Sequence, residues 1–270
     1  MSFIEFVVIF LMIFVVAVSM TMVGKGGGNF YVVILIFAGI SAHESAATSQ
    51  FILFPASFTG ILVFGKDKAV NWKLAFFVGV FVASSAFAGG FLSYLFDEFT
   101  LKTIFAVLLV AAGIAMIVPY TERVLQPDDG YFGILRISSV EGDLAINLKI
   151  VLPVTIATGF FSGMIGVSGG SFLVPMLVLA CNIPMKSSVT TVTPLIAVSA
   201  LMGFFGHILQ GHFDPFLGIP LAAVTVIGGY IGGRFALKSK PKNLKQLFAV
   251  SNVLAALLII ANLIITHSWI

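Results

Sequence analysis

Five stretches of this chain are almost unbroken hydrocarbon: Phe3–Val23, Trp72–Phe96, Leu101–Pro119, Ile150–Ile165 and Leu247–Ile265. Several approach the ~20 residues that a helix needs to cross a hydrocarbon layer of ~30 Å. Inside a bilayer every backbone N–H and C=O must be paired within the chain, so only helices and closed barrels survive there. A barrel requires strand-length segments of alternating polarity, and these are absent. Of the 270 residues 59% are hydrophobic and 9% charged, whereas a soluble domain carries roughly a quarter charged residues. The fold class is therefore an all-α polytopic membrane protein. The start "MSFIEF" carries Glu5 and no basic residue, so it reads as a true helix rather than a signal peptide. A single cysteine, Cys181, excludes an internal disulfide or a multi-cysteine metal site and reads as a small buried hydrophobe.

Two glycine-rich elements interrupt the oil, "VGKGGGNFYVV" (23–33) and "IGVSGGSFLVP" (165–175). When the chain is slid along itself so that Gly24 falls on Gly166, Gly27 and Gly28 fall on Gly169 and Gly170. Phe30 then meets Phe172, Ser45 meets Ser187, Thr48 meets Thr190 and Ser57 meets Ser199. With one further residue inserted, Asn71 meets Asp214 and Gly89–Gly90 meet Gly232–Gly233. The chain is thus two repeats, 1–120 and 147–270, joined by a polar linker, 121–146. Each repeat reads as a long helix, the glycine break, a short apolar piece (Asn29–Ile40; Ser171–Cys181), a polar stretch (Ser41–Gln50; Asn182–Thr193), a further apolar piece (Phe51–Phe64; Pro194–Phe205) and two long helices. A piece of about 12 residues is near 18 Å long as a helix, too short to cross alone. Pro175, Pro184 and Pro194 are expected to mark broken helix ends.

Lysine and arginine collect on the cytoplasmic side. In the first repeat they lie between the third and fourth pieces, as Lys66, Lys68 and Lys73; the equivalent loop of the second, "GHILQGHFD", has none. There the basic loop is the next one, Arg234, Lys238, Lys240, Lys242 and Lys245, where the first repeat has Asp97, Glu98 and a lone Lys102. Equivalent loops face opposite sides, so the repeats are of inverted topology with broken or re-entrant helices. An odd number of crossings per repeat follows, whether the short piece and its successor both cross or form a re-entrant hairpin. Both options put the linker in the cytoplasm and both termini outside the cell membrane. The basic cluster is a topology signal, and no nucleic-acid partner is expected.

Short, glycine-interrupted segments at matching positions of two repeats point to a transporter's binding site. The candidate substrate-binding residues are the breaks, Gly27, Gly28, Asn29, Gly169, Gly170 and Ser171, and the polar stretches, Thr48, Ser49, Gln50, Thr190 and Thr191, with Lys186. The hydroxyls are expected to start helices whose N-terminal N–H groups and partial positive charge suit a small anion; simple capping is the competing role. Lys186 aligns with Glu44; ionisable groups at membrane depth are rare and functional, which makes Glu44, with His43, the proton-coupling candidate. His207, His212 and Asp214 fall in a predicted external loop without tight ligand spacing, so no metal is expected, nor is any cofactor. The break is not a nucleotide-phosphate loop, because G-x-G-x-x-G fails at Asn29. "GGYIGGRFAL" (228–237) has small-xxx-small spacing and reads as helix packing.

The duplicated glycine element, the hydroxyl stretch after it and the "GGRFAL" helix end together resemble the TauE/SafE family of membrane permeases, the sulfite exporters, over nearly the whole chain. Val33 stands where the second copy has Pro175, and Ser168 where the first has Gly26. The resemblance implies transport of sulfur-containing anions such as sulfite or organosulfonates. The expectation is a secondary transporter working by alternating access in the lipid bilayer, with the site between the repeats near the midplane. A proton or sodium as coupling ion, a homodimer and a non-sulfur organic anion stay open, and an anion channel of the same architecture is the rival. An enzyme would need a convergent nucleophile–base or metal set inside the bilayer, and none is found. The topology is directly testable: in a Cys181→Ser background, single cysteines near both ends label from outside, and cysteines in 234–245 label from the cytoplasm. Labelling of the two ends from opposite sides refutes the inverted repeat.

Overall fold

A computed structural model describes residues 3–66, 70–117, 134–139, 142–181 and 183–267. The first repeat holds α1 (Phe3–Met22), α2 (Gly28–Phe37), α3 (Ala42–Lys66), α4 (Trp72–Leu92), a single 3-10 turn (Ser93–Leu95) and α5 (Glu98–Ile117). The second holds α6 (Leu148–Ile165), α7 (Gly170–Ala180), α8 (Met185–Ile208), α9 (Pro215–Lys238) and α10 (Pro241–His267). Seven of these helices are long and apolar enough to cross a membrane, and large apolar side chains such as Phe76, Ile219 and Leu257 stay exposed on the outside, as lipid demands. The all-α membrane fold is therefore confirmed. One small addition is a hairpin at the foot of α6. Strands β1 (Ile134–Ser139) and β2 (Gly142–Asn147) pair antiparallel, Ile134 opposite Asn147. The rest of the predicted linker, and Lys68, lie outside the described residues.

Local chemistry sets the helix ends. The Asn71 side chain accepts from Leu74 N at 3.2 Å to open α4, and Asp214, its counterpart, accepts from Phe216 N at 2.9 Å to open α9. Each saves one of the N–H groups that a helix start leaves unpaired. Gly39 ends α2 at φ 82° and Gly166 ends α6 at φ 82°, a left-handed setting that glycine adopts without a Cβ clash.

The packing is symmetric between the repeats. Helix α4 lies against α6 and α8, and its counterpart α9 lies against α1 and α3; α3 meets α8, and α5 meets α10. The contacts match in detail. A Cβ on Gly89 would run into the Phe160 carbonyl, and one on Gly232, its equivalent, into the carbonyl of Val18, the equivalent of Phe160. Gly228 lies against Ala17 and Gly229 against the Ala56 carbonyl, so the small-xxx-small stretch is packing, as read. Exchange of the repeats carries the main helix contacts into one another, which is consistent with a two-fold relation. The ends agree with inversion: Met22, Val63, Phe64, Val70, Ala236 and Leu237 cluster together, so α4 begins where α9 finishes. The two basic loops, after α3 and after α9, share this end. At the other, His43 meets His212.

Two expectations need correction. The polar stretches do not separate two pieces; α3 and α8 run straight through them. Thr190 and Thr193 bond back to their own helix, Thr193 to the Val189 carbonyl at 2.8 Å, so hydroxyl-rich sequence stays helical inside a membrane. The hairpins are instead α1 with α2, and α6 with α7. Ile4 and Ala38 line one groove, so α2 returns to the end where α1 began. Second, Pro194 lies inside α8 and Pro175 inside α7; only Pro184 sits at a helix start.

Where helix backbones touch, a side chain must force them apart, at ~1–3 kcal/mol or more. Gly89→Val and Gly232→Val should each lower the melting temperature of the detergent-solubilised protein by several degrees. Gly65→Ala, with open space at its Cβ, should leave it unchanged.

Candidate functional site

The two breaks cross at the buried centre of the molecule. Gly24, Gly26 and Gly27 all have positive φ, 70°, 66° and 105°, which lets the chain leave α1, reverse and begin α2 within a few residues. Gly28 and Gly170, equivalent residues at the starts of α2 and α7, are pressed onto the opposite break. A Cβ on Gly28 would come within 2.7 Å of Ser168 N, and one on Gly170 within 2.6 Å of the Gly24 carbonyl oxygen. Next to them Asn29 Nδ2 donates to Ser171 Oγ at 2.7 Å, while Asn29 Oδ1 accepts from Ser168 N at 3.1 Å. Asn29 and Ser171 are equivalent positions in the sequence, so this bond joins matching residues of the two breaks. Ser49 Oγ, from α3, reaches the Gly166 carbonyl at 2.7 Å and the Gly28 carbonyl at 3.2 Å. Gln50 Nε2 donates to the Ser162 carbonyl at 2.6 Å, and Ser162 Oγ to the Val167 carbonyl at 2.7 Å.

Lys25 brings charge to this crossing. It is 2% exposed. Its Nζ donates to the Phe248 carbonyl at 3.0 Å, to Ser251 Oγ at 2.7 Å and to Asn252 Oδ1, and lies 4.0 Å from the centroid of the Phe248 ring. These partners, all on α10, are neutral. The other buried lysine among the described residues, Lys102, is paired with Glu98 at 2.8 Å. The Asn252 carbonyl also accepts from Ser171 Oγ at 3.2 Å, while its own Nδ2 is buried without a partner. The partial positive ends of α2 and α7 add to the Lys25 charge.

The predicted residues thus divide. Gly27, Gly28, Asn29, Ser49, Gln50, Gly169, Gly170 and Ser171 belong to or border the crossing. Thr48, Ser49, Gln50, Thr190 and Thr191 do not start helices; they lie in the second turns of α3 and α8, and the opposed helix starts at the centre are those of α2 and α7. Thr191 Oγ1 accepts from Asn71 N at 3.1 Å, and Thr190 Oγ1 donates to the Lys186 carbonyl at 3.2 Å. The Thr48 hydroxyl is buried without a partner and borders a cavity of about 340 Å³ with Glu44, Asp214 and Phe6. Glu44 and Lys186 are exposed in the first turns of α3 and α8, at opposite ends of the bundle and away from the crossing. His207 lies inside α8, fully buried, rather than in a loop. Among the described residues no group of histidine, cysteine, aspartate and glutamate could hold a metal. Lys25 was legible but unassigned: a lone cation in a run of apolar residues and glycines is the signal.

Known proteins fit this architecture. The chain is 23% identical over 248 residues to the probable membrane transporter protein YunE of Bacillus subtilis, covering 87% of this chain and 89% of that one. It is 26% identical over 249 residues to a probable membrane transporter protein of Methanocaldococcus jannaschii, covering 86% of each. With YdhB of Bacillus subtilis, also a probable membrane transporter protein, it shares 23% over 253 residues, 93% of this chain and 99% of that one. No solved structure matches. Residues 9–259 match the family described as Sulfite exporter TauE/SafE. Two glycine breaks crossing inside a multi-pass helical bundle are thus the centre of a membrane transporter, and the chain belongs to the TauE/SafE family.

Proposed function

We propose that the chain carries a small sulfur-containing oxyanion, sulfite or an organosulfonate, across the cell membrane by alternating access. Its site lies where the two breaks cross. The observation that carries the reading is Lys25, a buried cation held only by neutral groups between two helix N-termini. Leaving a charge unpaired at membrane depth is costly, and an arriving anion offsets that cost at the place where hydroxyl and amide donors gather. Several donors around one charge suit a ligand with several oxygens. The family, that of the sulfite exporters, supports the sulfur chemistry. The α1–α2 and α6–α7 hairpins are the elements that rock against the outer helices. The basic loops, read as cytoplasmic, support both termini lying outside the cell.

A channel of the same architecture is separated by counterflow. External unlabelled sulfite should accelerate efflux of labelled sulfite from proteoliposomes and saturate. Efflux that neither saturates nor responds means a channel.

Lys25→Met keeps the length of the side chain and deletes the charge. It should weaken sulfite binding about 10- to 150-fold while leaving the melting temperature equal or higher, because a buried unpaired charge is removed. Calorimetric titration and thermal unfolding on the same preparation check both. Unchanged affinity removes the site from the crossing. The same two measurements apply to the threonines. Thr48→Val, on the Glu44 cavity away from the crossing, should leave affinity unchanged, and Thr191→Val should lower the melting temperature without loss of affinity, because Thr191 serves the Asn71 backbone.

A further inference from the structure

At the end of the bundle away from the basic loops, three histidines approach one another from different elements. His43 stands in the first turn of α3, His207 in the last turn of α8, and His212 in the turn before α9. The rings of His43 and His212 are 4.9 Å apart between centroids, those of His207 and His212 6.0 Å. His43 is half-buried and precedes Glu44, which lines the cavity of about 340 Å³; His207 is fully buried. Ser93, in the turn after α4, lies between them. Its carbonyl is 3.2 Å from His43 Nε2, and its hydroxyl is 3.3 Å from His207 Nδ1.

The hydrogen-bond inventory at His207 is informative. Nε2 lies 2.8 Å from the Gly163 carbonyl, which can only accept, so Nε2 carries a proton. Nδ1 faces the Ser93 hydroxyl, which is also 2.8 Å from the Gly90 carbonyl. The hydroxyl therefore has two settings. Turned to Nδ1, it serves a neutral ring; the Gly90 carbonyl still has the Ser93 N–H. Turned to Gly90, it offers its oxygen to a protonated Nδ1. Every group is paired in both states. A histidine needed only for packing requires one such state, whereas a reversible proton site requires two.

We propose that His207 is the proton-binding site that couples transport, loaded from the Glu44 cavity through His43 and His212. The proposal rests on the reading of the chain as an anion transporter. The proton enters at Nδ1. His212 offers the intermediate stop, for its Nδ1 is buried without a partner. The groups that face the path are His43 and Glu44 from α3 and His212 and Asp214 from the turn before α9. From α4, its following turn and α6 come carbonyls and the Ser93 hydroxyl. Asp214 is engaged with Phe216 N, which leaves Glu44 as the nearby carboxylate that favours a charged ring. Burial first, then the His43 charge, hold the His212 pKa below the usual histidine range, and Glu44 opposes them. The link to the crossing is short. Gly163, which His207 holds, follows Ser162, whose carbonyl binds Gln50 and whose hydroxyl binds Val167 in the break. A charged ring pulls harder on the Gly163 carbonyl than a neutral one, at the last turn of α6.

The test uses the full chain in lipid nanodiscs with 15N-labelled histidine. Only four histidines are present, so single substitutions assign every signal. His207 should change from a ring protonated at Nε2 alone to one protonated at both nitrogens between about pH 4 and pH 9. Ser93→Ala removes the acceptor of the Nδ1 proton and should move that midpoint down by about one to two pH units. In proteoliposomes, one pH unit across the membrane should drive about tenfold sulfite accumulation if one proton is coupled. His207→Gln keeps a donor for Gly163 and should abolish this accumulation while retaining sulfite counterflow. A His207 signal that stays in one form throughout overturns the proton site, as does a His207→Gln variant that still accumulates sulfite with the gradient. Parallel loss of accumulation and counterflow also overturns it, because a structural histidine behaves so. If the wild type moves no sulfite, the substrate reading fails by itself and the nitrogen titration still decides the proton site.

Discussion

The backbone contact between the two breaks is the constraint on which the rest of the structure depends. Gly28 and Gly170 press the two breaks together so closely that a Cβ on either would come within 2.7 Å of the opposite backbone, in the buried interior. Unpaired peptide groups are intolerable there, so each break must be satisfied by the other or by neighbouring side chains. The result is the set of bonds from Asn29 to Ser171 and Ser168, and from Ser49 to Gly28 and Gly166. Any side chain at Gly28 or Gly170 would separate the breaks and strand these groups together. The surrounding helices follow from the same requirement. Helix α3 must present Ser49 and Gln50 to the centre, and α4 and α6 must approach closely through Gly89 and Gly163, because Ser162 and Gly163 carry the bonds to Gln50 and His207.

Much of this was legible in the sequence. The repeat showed in glycines and hydroxyls, which chance apolar similarity does not align, and the flip of lysine between equivalent loops gave the inversion with which the packing agrees. The crossing was legible only as two separate breaks. Nothing in the chain states that Asn29 and Ser171 meet, although their equivalence means that an axis through one point would join them. Two misreadings have physical causes. Hydroxyl-rich stretches look like loops by polarity, but Thr190 and Thr193 satisfy themselves on their own helix, so α8 is continuous. Glu44 and Lys186 were read as ionisable groups of the site, yet both are exposed in the first turns of their helices, and inversion sends these aligned residues to opposite ends. The hairpin of β1 and β2 lay in a segment whose charges and turn residues spelled linker.

The two repeats are alike in backbone and unlike in chemistry. Lys25 has Val167 as its counterpart. Three glycines with positive φ shape the first break, and of the glycines in the second only Gly166 has one. An inverted repeat with identical halves makes the inward- and outward-facing states mirror exchanges of one another and equal in energy. A single buried cation removes that equality. Lys25 binds α10, while no equivalent charge binds α5, so moving the α1–α2 hairpin breaks a charge-assisted set of bonds and moving the α6–α7 hairpin does not. In the proposed mechanism, an anion at the crossing replaces those bonds with its own oxygens and lowers the cost of the first movement alone. The substrate then acts on the conformational equilibrium through its differential contacts with the two states, which is the only way that a ligand can shift one.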